Sequence, residues 1–229
     1  MHFRAGLVAA LLVAAVAAPA AAVPRATTPP ATTPRAASEG SRAADVLATL
    51  RVKGRAPKTG YSRSQFGASW SDVDHNGCDT RNDVLNRDLD DKQWRPGTHD
   101  YVVVAGRIVD PYTGRTLDFT KARAWYVQVD HVVALSDAWQ KGAQQWDAVK
   151  RRAFANDPLE LLAVDGPTNA RKGDGDAATW LPPRKSFRCD YVARQIAVKA
   201  RYGLWVTGAE HDAMGRVLTT CPAQRVPSS

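Results

Sequence analysis

Cys189 and Cys221 lie sixteen residues on either side of Trp205, and an amphipathic run connects each of them to it. The runs FRCDYVARQIAVKARYG and TGAEHDAMGRVLTTC meet at the tight connection Gly203-Leu-Trp-Val, so two helices fold back as an antiparallel hairpin. Thr207 and Glu210 have the spacing of a capping box at the start of the second helix. Antiparallel pairing sets Cys189 beside Cys221, which predicts a disulfide in an oxidising compartment, with two buried thiols as the alternative. Closing a loop of about 30 residues contributes roughly 3–4 kcal/mol in the chain-entropy account. Cys78 is then left over.

The compartment is read from the other end of the chain. MHFRAGLVAALLVAAVAAPAAAV has a basic start, a short apolar run and Ala-x-Ala sites, which predicts a secretory signal peptide over 1–22 and a secreted, extracellular product. The apolar run is shorter than the ~20 residues that span a bilayer, and PRATTPPATTPRA follows it directly. Residues 23–42 have almost nothing to bury and read as a disordered Pro/Thr/Ala-rich linker. Residues 43–229 suit one domain with a single core, and no internal repeat interrupts them. The net charge is +8, less one when Arg4 leaves with the leader. Such a balance suits a polyanion, whether nucleic acid, teichoic acid or anionic lipid head groups.

Within the domain the coarse order is α+β with few strands. Ser41 to Val52 reads as a helix, and Thr80 with Asp83 caps a second helix through Val84, Leu85 and Leu89. Tyr101–Val109 and Arg115–Phe119 flank the turn Asp110-Pro-Tyr-Thr-Gly114 and form a hairpin. Trp125–Val129 is a further strand, helical pattern runs between Ser136 and Phe154, and Leu159–Val164 is a short strand followed by Pro167 at a helix start.

The tripeptide Val-Asp-His occurs twice. At Val73–His75 it lies in Asp72-Val-Asp74-His-Asn76-Gly77, which imitates the opening of a calcium loop. Asp83 at the twelfth position is a carbon shorter than the closing Glu of such loops, and Arg81 puts a cation inside it. A turn held by its own Asp and Asn side chains is the better reading. At Val129–His131 the tripeptide ends a strand, and LELLAVDGPTNARKGDGD follows across an insert. A small ββα unit then brings Asp130, His131 and Asn169 together. Asp130 and Asn169 offer hard oxygen ligands for magnesium, with water and substrate phosphate completing the shell. A neutral His131 can take a proton from attacking water, and Lys172, close by on the same helix, can hold a phosphate oxygen. Arg81, Arg87 and Arg171 are the candidate nucleic-acid contacts.

DHVVALSDAW, LELLAV and NARKGD together resemble the HNH, or His-Me finger, endonucleases, and are most similar to exported bacterial members related to the C-terminal nuclease domain of GmrSD-type restriction systems. The resemblance runs from about Tyr61 to Cys221 and takes in NGCDTRNDVLNRDL, DPYTG and DGPTNARKGDGDAATWLPP. It implies a small ββα-metal nuclease core with an N-terminal β-hairpin and a C-terminal disulfide-linked helical hairpin. It also implies a metal-dependent phosphodiesterase with His131 as general base and Asp130 and Asn169 as ligands of a divalent ion, Mg2+ by preference.

Two positions depart from the family pattern. Glu160 stands where the resemblance implies an Asn that braces the loop carrying the base, and a carboxylate accepts hydrogen bonds without donating them. Tyr101 stands where relatives often carry a cysteine available to Cys78, which leaves Cys78 able to join two chains of an otherwise monomeric protein. The leading expectation is an exported endonuclease of little sequence preference acting on nucleic acid, DNA before RNA. A non-catalytic envelope module binding polyanions or calcium is the alternative, and a decayed nuclease the third. With His131 as base, activity is expected to rise with pH near about 6.5.

Overall fold

The computed structural model describes residues 1–2 and 40–227; the expected leader and nearly all of the expected linker lie outside the described residues. The chain divides into two compact units, Met1–Thr33 and Pro34–Ser229, and the described fold from Gly40 onward belongs to the second. Among the described residues no helix is long and apolar enough to cross a membrane.

The fold is α+β, built on two small antiparallel sheets. Strands β1 (Asp90–Trp94), β2 (Val103–Val109) and β3 (Thr116–Thr120) form one sheet in that order. Strands β4 (Val127–His131) and β5 (Leu161–Asp165) form a separate ribbon, with Val127 opposite Asp165 and His131 opposite Leu161. The expected hairpin is β2 and β3, to which β1 adds a third strand. DDKQW has no apolar alternation to reveal it, because β1 is a solvent-facing edge whose pairing is irregular on either side of Gln93.

The ribbon is buried on both faces, and the two-residue period sorts its side chains between two cores. Val127, Val129, Leu161 and Ala163 pack with Val84, Leu85, Leu89, Ile108, Leu117 and Phe119 against the three-stranded sheet. Leu162 and Val164 face a larger cluster containing Val46, Phe66, Tyr112, Phe154, Tyr191 and Ile196. Helix α1 (Ala43–Thr49) packs on this second side.

Helix α2 (Thr80–Asp88) starts one residue earlier in its capping than the sequence suggests. Asp79 is the N-cap and accepts from Asn82 N at 2.9 Å, whereas the Thr80 hydroxyl donates to Ser71 O. The helical stretch between Ser136 and Phe154 is broken into α3 (Leu135–Gln140), a 3-10 turn at Ala143–Gln145 and α4 (Ala148–Ala155). Gly142, at φ +132°, and the new N-cap Asp147 make the break. Helix α5 (Gly166–Lys172) follows β5 without a loop: Asp165 caps Thr168 N at 2.8 Å and Pro167 lies in the first turn. A Cβ on Gly166 would stand 2.0 Å from Trp125 O, so helix and strand approach backbone to backbone there.

Helices α6 (Arg188–Tyr202) and α7 (Gly208–Leu218) form the expected hairpin, turned by Gly203 in the left-handed region and started by the Thr207/Glu210 capping box. Cys189 and Cys221 are bonded, 32 residues apart in sequence. The two ends of the domain meet where Arg42 bridges Arg225.

Behind α3 lies a feature that the sequence does not announce, a buried cluster of two lysines and three carboxylates, joined from the surface by the exposed Arg55. Lys141 Nζ is 2.7 Å from Asp137, 2.7 Å from Asp176 and 2.6 Å from Glu210. Lys199 contacts Asp137 and Glu210 at 3.3 and 2.9 Å, and Arg55 reaches Asp137 and Asp176 at 2.9 and 2.7 Å. Burial opposes the Lys199 charge, but Glu210 and Asp137 more than offset it and hold its pKa above the ordinary value. Matched charges make this burial tolerable, and they tie α3, α6, α7 and the segment after α5 together.

Candidate active site

The end of β4 supplies Asp130 and His131, and α5 supplies Asn169 and Lys172. Asp130, His131 and Asn169 line one cavity of about 510 Å³, shared with Lys58, Arg63 and Asp174. The second Val-Asp-His therefore sits in a site. The first does not: His75 is exposed in a turn, where Gly77 N donates to Asp72 Oδ2 at 3.1 Å and Asn76 Nδ2 to Asp74 and Asp83, each at 3.1 Å. The calcium-like loop is held by its own amides, as its sequence suggests.

His131 is only 7% exposed. Its Nε2 lies 2.9 Å from Ala155 O. A carbonyl only accepts, so Nε2 carries the proton and the neutral ring keeps its lone pair on Nδ1. Trp70 stacks on the imidazole with centroids 6.0 Å apart and planes 17° from parallel. Burial, then the charge of Arg63, pulls the His131 pKa down to about 3, against the bond to Ala155 and with a further push from Lys172. The direction favours the neutral imidazole.

Asp130 is held by two donors, the Tyr112 hydroxyl to Oδ2 at 2.5 Å and Lys172 Nζ to Oδ1 at 3.0 Å. Lys172 also donates to His131 O at 2.7 Å and is 3% exposed. The ammonium expected to hold a phosphate oxygen faces inward here and fastens the Asp130-His131 backbone and carboxylate.

Whether these residues suit a divalent cation turns on the donor set. Tyr112 and Lys172 occupy two of the roughly four lone-pair positions of the Asp130 carboxylate, so further acceptor capacity remains. Asn169 Nδ2 donates to Gln128 Oε1 at 3.0 Å, which orients the amide and leaves its carbonyl oxygen as the ligand atom. No group of three or more His, Cys, Asp or Glu suited to a metal occurs among the described residues. One carboxylate and one amide oxygen fit a hard ion that retains water and takes substrate oxygens, rather than an all-protein cage.

Glu160 is fully buried and supports the loop after His131, with Val133 N donating to its carboxyl oxygens at 3.1 and 3.2 Å. Val132 O is held from the other side by Gln195 Nε2 at 2.8 Å and by Tyr191 OH at 3.3 Å. Burial keeps the Glu160 pKa well above the usual carboxylate range, opposed by Lys172 and Val133 N. The carboxyl accepts from the loop, and no bond that it donates is seen among the described residues.

The three arginines expected to touch nucleic acid fare differently. Arg87 is bonded to Asp88 and to the carbonyls of Pro158 and Leu161, both at 2.7 Å, so it ties α2 to β5. Arg81 is half-buried over the Phe119 ring, 5.7 Å from its centroid. Arg171 remains exposed on α5, with one bond to Thr168 Oγ1. Cys78 is 7% exposed, and burial followed by Asp83 pushes its thiol up to about 11. The thiol expected to be able to join two chains is thus shielded and held in its protonated form.

Sequence reasoning missed Tyr112, Trp70, Gln128, Arg63 and Lys58. Tyr112 sits in the DPYTG turn, which reads as turn chemistry alone, and the others precede or interleave the motif without a spacing of their own.

A family model described as the C-terminal domain of GmrSD restriction endonucleases matches residues 79–217, a stretch containing Asp130, His131, Glu160, Asn169 and Lys172. An uncharacterized secreted protein of Arthroderma benhamiae is 38% identical over 183 residues, covering 79% of this chain and 85% of that protein. No solved structure matches.

Proposed function

The chain belongs to the family of the C-terminal domain of GmrSD restriction endonucleases, and on that premise we propose that residues 43–229 form an exported, metal-dependent endonuclease hydrolysing phosphodiester bonds with little sequence preference, DNA before RNA. The observation that carries the reading is His131, whose proton faces Ala155 and whose lone pair is on Nδ1, in a cavity shared with Asp130 and Asn169. Export is supported by the basic and apolar N-terminal sequence and by the secreted relative.

In this reading His131 Nδ1 accepts a proton from water as the water oxygen attacks phosphorus and the ester P–O bond breaks. Trp70 and Ala155 fix the plane of the ring, and Glu160 fixes the loop behind it. Asp130 and Asn169 are the residues that would hold a divalent ion, magnesium by the hardness of their oxygens, whose charge would offset that developing on the phosphate. Lys172 and Tyr112 orient Asp130. Among the described residues no element is evident for reading base edges, which leaves phosphate contacts to dominate in this reading.

The test is plasmid nicking by residues 23–229 with magnesium, compared with His131→Ala. Loss of nicking in the variant, with the fold retained, supports the assignment. Equal digestion by both proteins would refute it, and a wild-type protein that binds DNA without cutting it would favour the non-catalytic alternative.

A further inference from the structure

Arg63 is the first residue of a 3-10 turn, Arg63–Phe66, whose backbone is firmly anchored. Phe66 is 2% exposed and packs on Trp139 and Phe154 with centroids 6.4 and 6.1 Å away, while Arg151 Nε donates to Gln65 O at 2.8 Å. From this anchor Arg63 borders both the cavity of Asp130, His131 and Asn169 and the small recess where Trp70 covers His131. Two other cations lie near, and both are committed. Lys172 is bonded to Asp130 and His131 O, and Lys58 is paired with Asp174 at 3.1 Å. Among the described residues Arg63 has no ion pair and no hydrogen bond to a side chain or carbonyl.

An exposed guanidinium on a rigid turn, beside the general base and without a protein anion, presents a planar fork of donors to whatever enters the cavity. That fork matches two non-bridging oxygens of one phosphate. We propose that Arg63 is the residue that grips the scissile phosphodiester, the role that the sequence suggests for Lys172. The proposal rests on the nuclease reading above.

The experiment compares wild type, Arg63→Ala and Arg63→Lys on bis(p-nitrophenyl) phosphate and on linear duplex DNA, with magnesium. Arg63 makes no bond that folding depends on, and equal thermal midpoints check this. Arg63→Ala should lower kcat/KM by roughly 10²-fold on both substrates, the scale of losing one donor to a developing anion. Arg63→Lys should recover part of the loss, since charge remains and the fork does not. Undiminished cleavage of both substrates by Arg63→Ala overturns the proposal and leaves the nuclease standing. A loss confined to the long duplex overturns it too, because that is the mark of general polyanion attraction. If wild type cleaves neither substrate, the nuclease reading fails and the proposal fails with it.

Discussion

Tyr112 donates its phenolic proton to Asp130 Oδ2 across 2.5 Å, so the turn of the three-stranded sheet reaches the end of the separate ribbon. The ring is fully buried against Trp180 and Tyr191, contacts that a phenylalanine would keep. Tyr112→Phe should therefore fold, at a cost of about 1.5–3 kcal/mol for a lost bond to a charged acceptor. Magnesium affinity measured by calorimetry should drop about 10-fold or more, as orienting partners of metal ligands generally require. Unaltered affinity would mean that Tyr112 only packs.

Glu160 makes stability depend on pH in a defined direction. Its folded pKa lies well above the ordinary 4.5, so above about that pH the unfolded chain releases a proton that the folded chain keeps. The stabilisation is complete below pH 4.5 and declines as pH rises toward the folded value, by up to about 1.4 kcal/mol per unit. Glu160→Gln keeps the size and removes the titration. Urea midpoints measured from pH 5 to 8 should fall less steeply in the variant than in wild type, and parallel curves would contradict the retained proton.

The buried cluster around Lys141 should be unforgiving of single changes. Lys141→Met leaves Asp137, Asp176 and Glu210 with one cation fewer, and removing one partner of a buried pair costs about 3–5 kcal/mol. The Asp176 pKa is depressed because Lys141 and Arg55 outweigh its desolvation. Its contribution is therefore present above the unfolded 3.8 and lost as pH falls through the lower folded value. Denaturation midpoints at pH 7 and pH 3 test both statements.

Reduction should weaken the C-terminal hairpin without exposing the third cysteine. Opening Cys189–Cys221 removes the constraint on a loop closed over 32 residues, worth roughly 3–4 kcal/mol in the chain-entropy account. In the folded, unreduced protein a thiol reagent should find no reactive group, and one thiol should appear on unfolding, from Cys78. Rapid labelling of the native protein would show that Cys78 is reachable.

Basic residues and metal ligands should be separable by salt. With chelator present, log affinity for duplex DNA is expected to fall linearly with log salt, while cleavage stops. Loss of binding on chelation would identify the ion as the main anchor and the net charge of +8 as incidental.

The parts of the fold that were legible in the sequence are those signalled over short distances. Asp165 and Pro167 mark the start of α5, and Thr207 and Glu210 mark α7. The paired cysteines close a hairpin whose turn is visible between them. Asp130, His131 and Asn169 were readable because they flank such elements. Tyr112, Arg63 and Trp70 were not, since their contacts are made by tertiary packing and no periodicity encodes them. Lys141 and Lys199 mislead in a different way: lysines in amphipathic runs normally face water, and these are buried where carboxylates meet them, Asp176 and Glu210 at Lys141 and Asp137 and Glu210 at Lys199 from other segments, beside the local Asp137 of Lys141.

At Gly166 the amide donates to Tyr126 O at 2.9 Å, and the missing side chain lets the peptide planes of α5 and the entrance to β4 touch. Asp130 lies four residues beyond Tyr126 and Asn169 three beyond Gly166. The span between them is thus a gauge length set by main chain alone, insensitive to the size of any neighbouring residue. Differences in ion preference among proteins built this way would have to arise from the groups that aim Asp130 and Asn169, Tyr112 and Gln128 here, and not from the width of the gap.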